Sequence, residues 1–312
     1  MKTAVISDIH GNLHALEAVL ADAEKLQVEK YVFLGDYYMD LPFPNEVVDR
    51  IKGLDAVVVR GNKEDYLPDG NPDRGTRTFK MMASLYWNYD KLTRENYDYL
   101  TNLPVEVEFK IGGQYASARH VPNDFFKNTA KRVFGSQIFY GLMLKKPFTH
   151  DEYLERAKRI ITKSKRIATL LDNYKDGAYI FGHTHVQWHF IGGGKLLLNP
   201  GSCGMALDFD NTAAYSIIEW DGEWTVEERR VVYDIQAAAT ALKASELWRV
   251  APVWSGIIEE HLMFAEDHVS FLIDTAFAVQ KDFGESGLPF SNKVWERAGE
   301  VYKECGVRRV VL

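Results

Sequence analysis

Thr3-Ala4-Val5-Ile6-Ser7-Asp8-Ile9-His10-Gly11-Asn12 reads as a short buried strand that runs straight into a carboxylate, an imidazole and a glycine turn. An apolar run without alternation is what a strand covered on both faces looks like. Behind it Leu13, Leu16, Val19, Leu20 and Ala23 recur at helical spacing and make one apolar face. Strand, polar turn and helix in succession point to α/β architecture. The same order recurs along the chain: Tyr31 to Leu34 before Gly35-Asp36, Ala56 to Arg60 before Gly61-Asn62, Tyr115 to Arg119 before His120, and Ala178 to Phe181 before Gly182-His183-Thr184-His185. All five polar blocks are therefore expected to emerge at one edge of a sheet, where strand ends bring their side chains together.

The residue types in these blocks fit transition-metal chemistry. Asp8, His10, Asp36, Asn62, His120, His183 and His185 combine four imidazoles with two carboxylates and one amide. Imidazole suits Zn, Mn, Fe or Ni, whereas an all-oxygen set would suit Mg or Ca. Asp36 is the candidate bridge, because a carboxylate can hold two cations about 3.5–4 Å apart, where they clamp a phosphate and activate water. Asn62 would offer a neutral oxygen to one of them.

The chain of 312 residues has 46% apolar content and a net charge of −7, which fits a globular protein with a sizeable core. Residues 1–233 read as the core, with a hairpin turning at Gly192-Gly193-Gly194 and another at Asp221-Gly222. Within it, residues 121–175 read as a helical insertion, where Thr149 and Glu152 have capping-box spacing. Residues 234–312 read as a C-terminal helical extension. The insertion holds twelve Lys and Arg against five acidic residues, +7 within a protein of −7. Such a field would steer an anionic substrate toward the adjacent blocks, while the acidic total argues against stable nucleic-acid binding. No stretch suggests a membrane span or a signal peptide. Cys203 and Cys305 make no disulfide framework, so a cytoplasmic location is the expectation.

Taken together, Asp8-Ile9-His10-Gly11-Asn12, Gly35-Asp36, Gly61-Asn62, His120, Gly182-His183-Thr184-His185 and the turn Asn199-Pro200-Gly201-Ser202 resemble the calcineurin-like metallophosphoesterase family. The resemblance covers about residues 1 to 232. It implies a two-sheet sandwich flanked by helices and two divalent or trivalent transition metal ions. Asp8, His10, Asp36 and His185 would surround one ion, and Asp36, Asn62, His120 and His183 the other. Within the family the chain looks most like bacterial phosphodiesterases and the asymmetrical diadenosine-tetraphosphate hydrolases. The expected partner is a small phosphorylated substrate, a nucleotide by this likeness, and assembly with further copies stays open.

One position departs from the family pattern. Many members have histidine directly after the asparagine, where it protonates the leaving group, but here Lys63 follows Asn62. A lysine beside two dications is a poor proton donor unless its pKa is lowered, yet it can neutralise charge growing on a phosphoryl oxygen. Asp36, Asn62 and Lys63 are thus the expected catalytic residues, and Asn12, Lys63 and Arg119 the expected substrate contacts. His150, His189, His261 and His268 lack a strand-end position and read as structural, and His14, one turn into the first helix, reads as a partly exposed helix histidine. The resulting expectation is a dinuclear phosphohydrolase in which a metal-bridging hydroxide attacks phosphorus in line, acting on phosphodiesters or nucleotide polyphosphates. Its alternatives are a cyclic-nucleotide phosphodiesterase and a non-catalytic binding scaffold, as the retromer subunit of this superfamily is thought to be.

Overall fold

In the first strand, β1 (Thr3–Ile6), all four residues are buried. Val5 joins an apolar layer with Leu34, Ala116, Ala118, Ile180 and Leu198, while Ala4 and Ile6 pack with Leu16, Val19 and Leu20 of α1 (Leu13–Lys25). A strand sandwiched between a second sheet and a helix has no wet face, which accounts for its unbroken hydrophobicity. The computed structural model describes residues 1–75, 77–121 and 171–305. The basic segment, with Thr149 and Glu152, lies almost wholly outside the described residues.

Two five-stranded sheets face each other. The first runs β10-β9-β1-β2-β3, built from β1, β2 (Lys30–Phe33), β3 (Ala56–Val58) and the hairpin β9 (Ala213–Trp220) and β10 (Trp224–Val231). β1, β2 and β3 are parallel, and β9 pairs antiparallel with β1. The second runs β4-β5-β6-β8-β7, from β4 (Glu106–Ile111), β5 (Gln114–Arg119), β6 (Gly177–Ile180), β7 (Gln187–Gly192) and β8 (Lys195–Pro200). This is the two-sheet sandwich with flanking helices that the resemblance implies. The blocks leave both sheets: those after β1, β2 and β3 come from the first, and those after β5 and β6 from the second. The expectation of one sheet edge is corrected accordingly, because the chain changes sheet after β3.

Helices α2 (Pro44–Lys52), α3 (Asn62–Tyr66), α4 (Ala83–Lys91) and α5 (Arg94–Asn102) lie between β2 and β4. After β10 come α6 (Ile235–Ala244), α7 (Glu246–Val250), α8 (Pro252–Phe264), α9 (His268–Asp282) and α10 (Asn292–Cys305). Ile258, Leu262, Leu272, Phe290 and Trp295 of this region form an apolar cluster that also takes in Leu41, Trp87 and Met205. The C-terminal helices thus bury apolar surface against the loops that follow β2 and β8. Among the described residues, no helix is long and apolar enough to cross a membrane.

Candidate metal centre

Asp8, His10, Asp36, His183 and His185 share an uncommon backbone, with φ of 54°, 55°, 56°, 70° and 58°. Left-handed backbone costs a residue with a Cβ roughly 1–2 kcal/mol. Its concentration at these turns means that surrounding bonds hold the side chains against local preference. Asp8 N donates to Gly35 O at 3.1 Å and His10 N to Asp36 O at 2.8 Å, which ties the first turn to the second. Glu64 fastens the second to the third: its carboxylate accepts from Asp36 N (2.9 Å), Tyr37 N (2.9 Å) and Gly61 N (2.7 Å). Two glycines are required by close approach. A Cβ on Gly61 would stand 2.2 Å from Asp36 Oδ1, and one on Gly182 would stand 2.0 Å from Ser7 Oγ. Asn199 steadies the last turn by donating to Gly182 O (2.8 Å) and Thr184 Oγ1 (2.9 Å).

The side chains so placed converge in two overlapping groups, Asp8 with His10 and His185, and Asp8 with Asp36 and His120. His185 Nε2 lies 3.2 Å from Asp8 Oδ1 and 3.2 Å from His10 Nε2. His120 Nε2 lies 3.4 Å from Asp36 Oδ2 and 3.0 Å from Asn62 Oδ1, and His183 Nδ1 lies 2.8 Å from the same amide oxygen. All seven residues thus meet in one place. Asp36 does so through one oxygen, because Oδ1 accepts from Lys63 N at 2.8 Å and Oδ2 alone faces His10 and His120.

The outward nitrogens decide what the inward ones can do. His10 Nδ1 meets Asp40 Oδ2 at 2.6 Å, His120 Nδ1 meets Leu34 O at 2.7 Å, and His185 Nδ1 meets Met205 O. Carbonyl and carboxylate oxygens only accept, so each Nδ1 carries its proton outward. In the neutral rings Nε2 is then a lone pair, and three such lone pairs point at Asp8 Oδ1, Asp36 Oδ2 and Asn62 Oδ1. Asp8 Oδ1 is buried with no hydrogen-bond partner among the described residues. Acceptors facing acceptors are relieved by cations, and an imidazole oriented through its far nitrogen is the arrangement expected of a metal ligand.

The electrostatics agree. Burial opposes ionisation of Asp8, but the charges of His185 and His120 outweigh it and hold the carboxyl well below the usual range. Asp36 is likewise lowered against burial, chiefly by His120. Burial opposes charging of His10 and His120 too; the neighbouring carboxylates of Asp40 and Asp8 raise the first to about 9, and those of Asp36 and Asp8 raise the second to about 9. Without metal, the acceptor cluster recruits protons in its place. Burial and the charge of Asp36 push Glu64 up to about 7, while its three backbone donors pull the other way.

The family model described as a calcineurin-like phosphoesterase superfamily domain matches residues 1–223. The chain belongs to that superfamily. An uncharacterized protein of Methanocaldococcus jannaschii is 30% identical over 262 residues, which span 81% of this chain and 95% of that protein. A metallophosphoesterase from Sphaerobacter thermophilus has a similar fold, with a TM-score of 0.59, 22% identity and coverage of 85% of this chain and 99% of its own. So does a hypothetical protein from Pyrococcus horikoshii, with a TM-score of 0.57, 21% identity, and coverage of 81% and 97%.

In this calcineurin-like phosphoesterase two of the expected substrate contacts serve the fold. Asn12 caps α1 by accepting from Ala15 N (3.1 Å), and its amide donates to Gly204 O (3.0 Å) and Tyr233 Oη (3.2 Å). It is fully buried, with both ends of its side chain engaged. Arg119 pairs with Glu106, directly opposite on β4, which also accepts from Ser117; residues 117 and 119 share the face away from Ala116 and Ala118 of the inter-sheet layer. Lys63 directly follows Asn62, and its charge is felt by the acidic residues of the centre. Burial would lower its pKa, but Asp40 and then Asp36 outweigh this and raise it, so the side chain stays an ammonium. Its Nζ stands 5.8 Å from the ring centroid of Trp254.

Four neighbours escaped the sequence reading: Asp40, Glu64, Trp254 and His261. Glu64 had a legible signal, since an acidic residue three positions after Gly61 can reach back to a helix start. His261, read as structural, places its ring centroid 6.5 Å from that of His185. Nothing in local spacing announces the C-terminal pair.

Proposed function

We propose that the protein is a dinuclear metal-dependent phosphohydrolase acting on phosphodiesters or nucleotide polyphosphates. The observation that carries the reading is the set of imidazoles of His10, His120 and His185 gathered around Asp8 Oδ1 and Asp36 Oδ2, their Nδ1 atoms turned outward to Asp40, Leu34 O and Met205 O. Asp8, His10, Asp36 and His185 would hold one cation, and Asp36, Asn62, His120 and His183 the other. Two bound cations supply Lewis acidity and an activated water. The protein's own part is positional and electrostatic. Glu64 keeps Asp36 and Gly61 in register, Asp40 keeps the His10 lone pair inward, and the Lys63 ammonium adds positive charge where phosphoryl oxygens gain negative charge.

A lysine in the leaving-group position favours substrates that need no proton donor, which are anhydrides and activated diesters. The presence of the complete donor set argues against a scaffold without catalysis. The test is metal analysis paired with turnover: protein loaded with Mn2+ should carry two equivalents and hydrolyse an aryl phosphodiester and a dinucleoside polyphosphate. Asp36→Asn should lower metal content and turnover together. A protein that takes up no transition metal, or an Asp36→Asn variant with both metals and normal rates, would sink the reading.

A further inference from the structure

The C-terminal helix α8 places two polar side chains seven residues apart, and so on one face, toward the metal centre. Trp254 Nε1 donates to Asp40 Oδ1 at 2.8 Å, and the other oxygen of Asp40 meets His10 Nδ1 at 2.6 Å. His261 Nε2 donates to Ala206 O at 3.0 Å, and the preceding carbonyl, Met205 O, accepts from His185 Nδ1. Met205 N is in turn held by Ser202 Oγ (2.7 Å), which donates to Asp8 O (2.7 Å). Two chains of bonds thus run from α8 to His10 and to the loop that orients His185, the two histidines grouped with Asp8.

The other group has different support. His120 donates to Leu34 O just beyond β2, and His183 meets Asn62 at the start of α3. Among the described bonds neither reaches α8. We propose that α8 is a positioning element for one metal only: Trp254 and His261 set the affinity of the position formed by Asp8, His10 and His185, and leave that formed by Asn62, His120 and His183 largely untouched. The proposal rests on the dinuclear reading above. Its physical basis is that partners behind a metal-binding imidazole fix the ring's orientation and basicity, and losing one typically costs roughly 10–100-fold in metal affinity.

Trp254→Phe keeps an aromatic ring but removes the N–H together with the rest of the five-membered ring, a truncation that the Trp295→Phe control below matches in size. His261→Phe removes the donor to Ala206, whereas His261→Gln retains an amide donor at similar reach. Trp295→Phe is the packing control, since Trp295 is buried beside Trp254 with ring centroids 6.4 Å apart. The full-length proteins, stripped of metal, are titrated with Co2+ and followed by visible absorption and bound-metal analysis.

Wild type should bind two equivalents. Trp254→Phe and His261→Phe should each weaken one of them by roughly 10–100-fold and leave the other within about threefold. His261→Gln and Trp295→Phe should stay near wild type. In metal-free protein the downfield NMR resonance of the His10 Nδ1 proton should move upfield in Trp254→Phe, which reads the bond chain without any metal. Equal weakening of both equivalents, no weakening of either, or a Trp295→Phe variant as impaired as Trp254→Phe would each overturn the proposal while leaving the metallohydrolase reading intact. A wild-type protein that binds no Co2+ would overturn both. Should Trp254→Phe fail to fold, the contrast between His261→Phe and His261→Gln decides.

Discussion

Lys63 is pulled two ways: its backbone N–H holds Asp36 Oδ1, and its ammonium is held by the charges of Asp40 and Asp36. On the proposed placement of Lys63 over the leaving group, a raised lysine pKa makes proton donation there unfavourable and gives the side chain the part of a fixed charge. The rate of the protein should therefore depend strongly on leaving-group pKa across a series of aryl phosphodiesters. Lys63→His should flatten that dependence by restoring a general acid, an effect typically worth about 10²–10⁴-fold for poor leaving groups and little for anhydrides. A wild-type series that is already flat, or a histidine variant slowed equally on every substrate, would remove Lys63 from the leaving group.

The turns between elements show what local sequence can and cannot convey. Strand runs, the helical face of α1 and both hairpins were legible because each is set by residues within a few positions of one another. So was the gathering of Asp8, Asp36, His120 and His183, since strand ends converge. The split of the blocks between two sheets was not, nor was the division of labour between the two Asp36 oxygens. Asp40 and Trp254 meet across 214 positions, and no periodicity encodes such a contact. The cap at Asn12 went unread for the opposite reason: a residue two positions after His10 in a metal-ligand block draws attention to the block, yet it also starts a helix and caps it.

Gly61 tests the tightness of these turns at the level of the element. Its missing Cβ leaves the space in which Asp36 Oδ1 and the start of α3 meet. Gly61→Ala must push Asp36 aside or move α3, at an overpacking cost of about 1–3 kcal/mol. Activity should fall much further than stability, by about 10²-fold or more, because displacements near 1 Å suffice for that at a positioned reacting centre. The paired measurement is thermal melting and kcat. Near-normal turnover would show that the loop relaxes and that Asp36 need not be held by α3.

The whole molecule concentrates buried acidic oxygens, inward lone pairs and left-handed backbone at one end of its sandwich, and then closes that end with helices that follow the last strand. Folding without metal leaves this end partly uncompensated, apart from protons drawn to His10 and His120. A ligand that binds only the folded chain stabilises it by mass action, about 2.7 kcal/mol for each site at a hundredfold excess over Kd. With an unfolding entropy of about 2.1 cal/mol/K per residue, a chain of 312 residues moves its Tm by about 1.5 °C for each kcal/mol. Mn2+ added to metal-free protein should therefore raise Tm by about 4 °C for each site filled, and chelation should reverse it. Because Trp254 and His261 bind α8 to Asp40 and Ala206, the C-terminal helices should melt with the sandwich in one transition that moves as a whole on loading. Scanning calorimetry with and without Mn2+ checks both parts. A second, metal-insensitive transition carrying the helical signal would mean that α8 rests on the core without sharing its metal-linked stability.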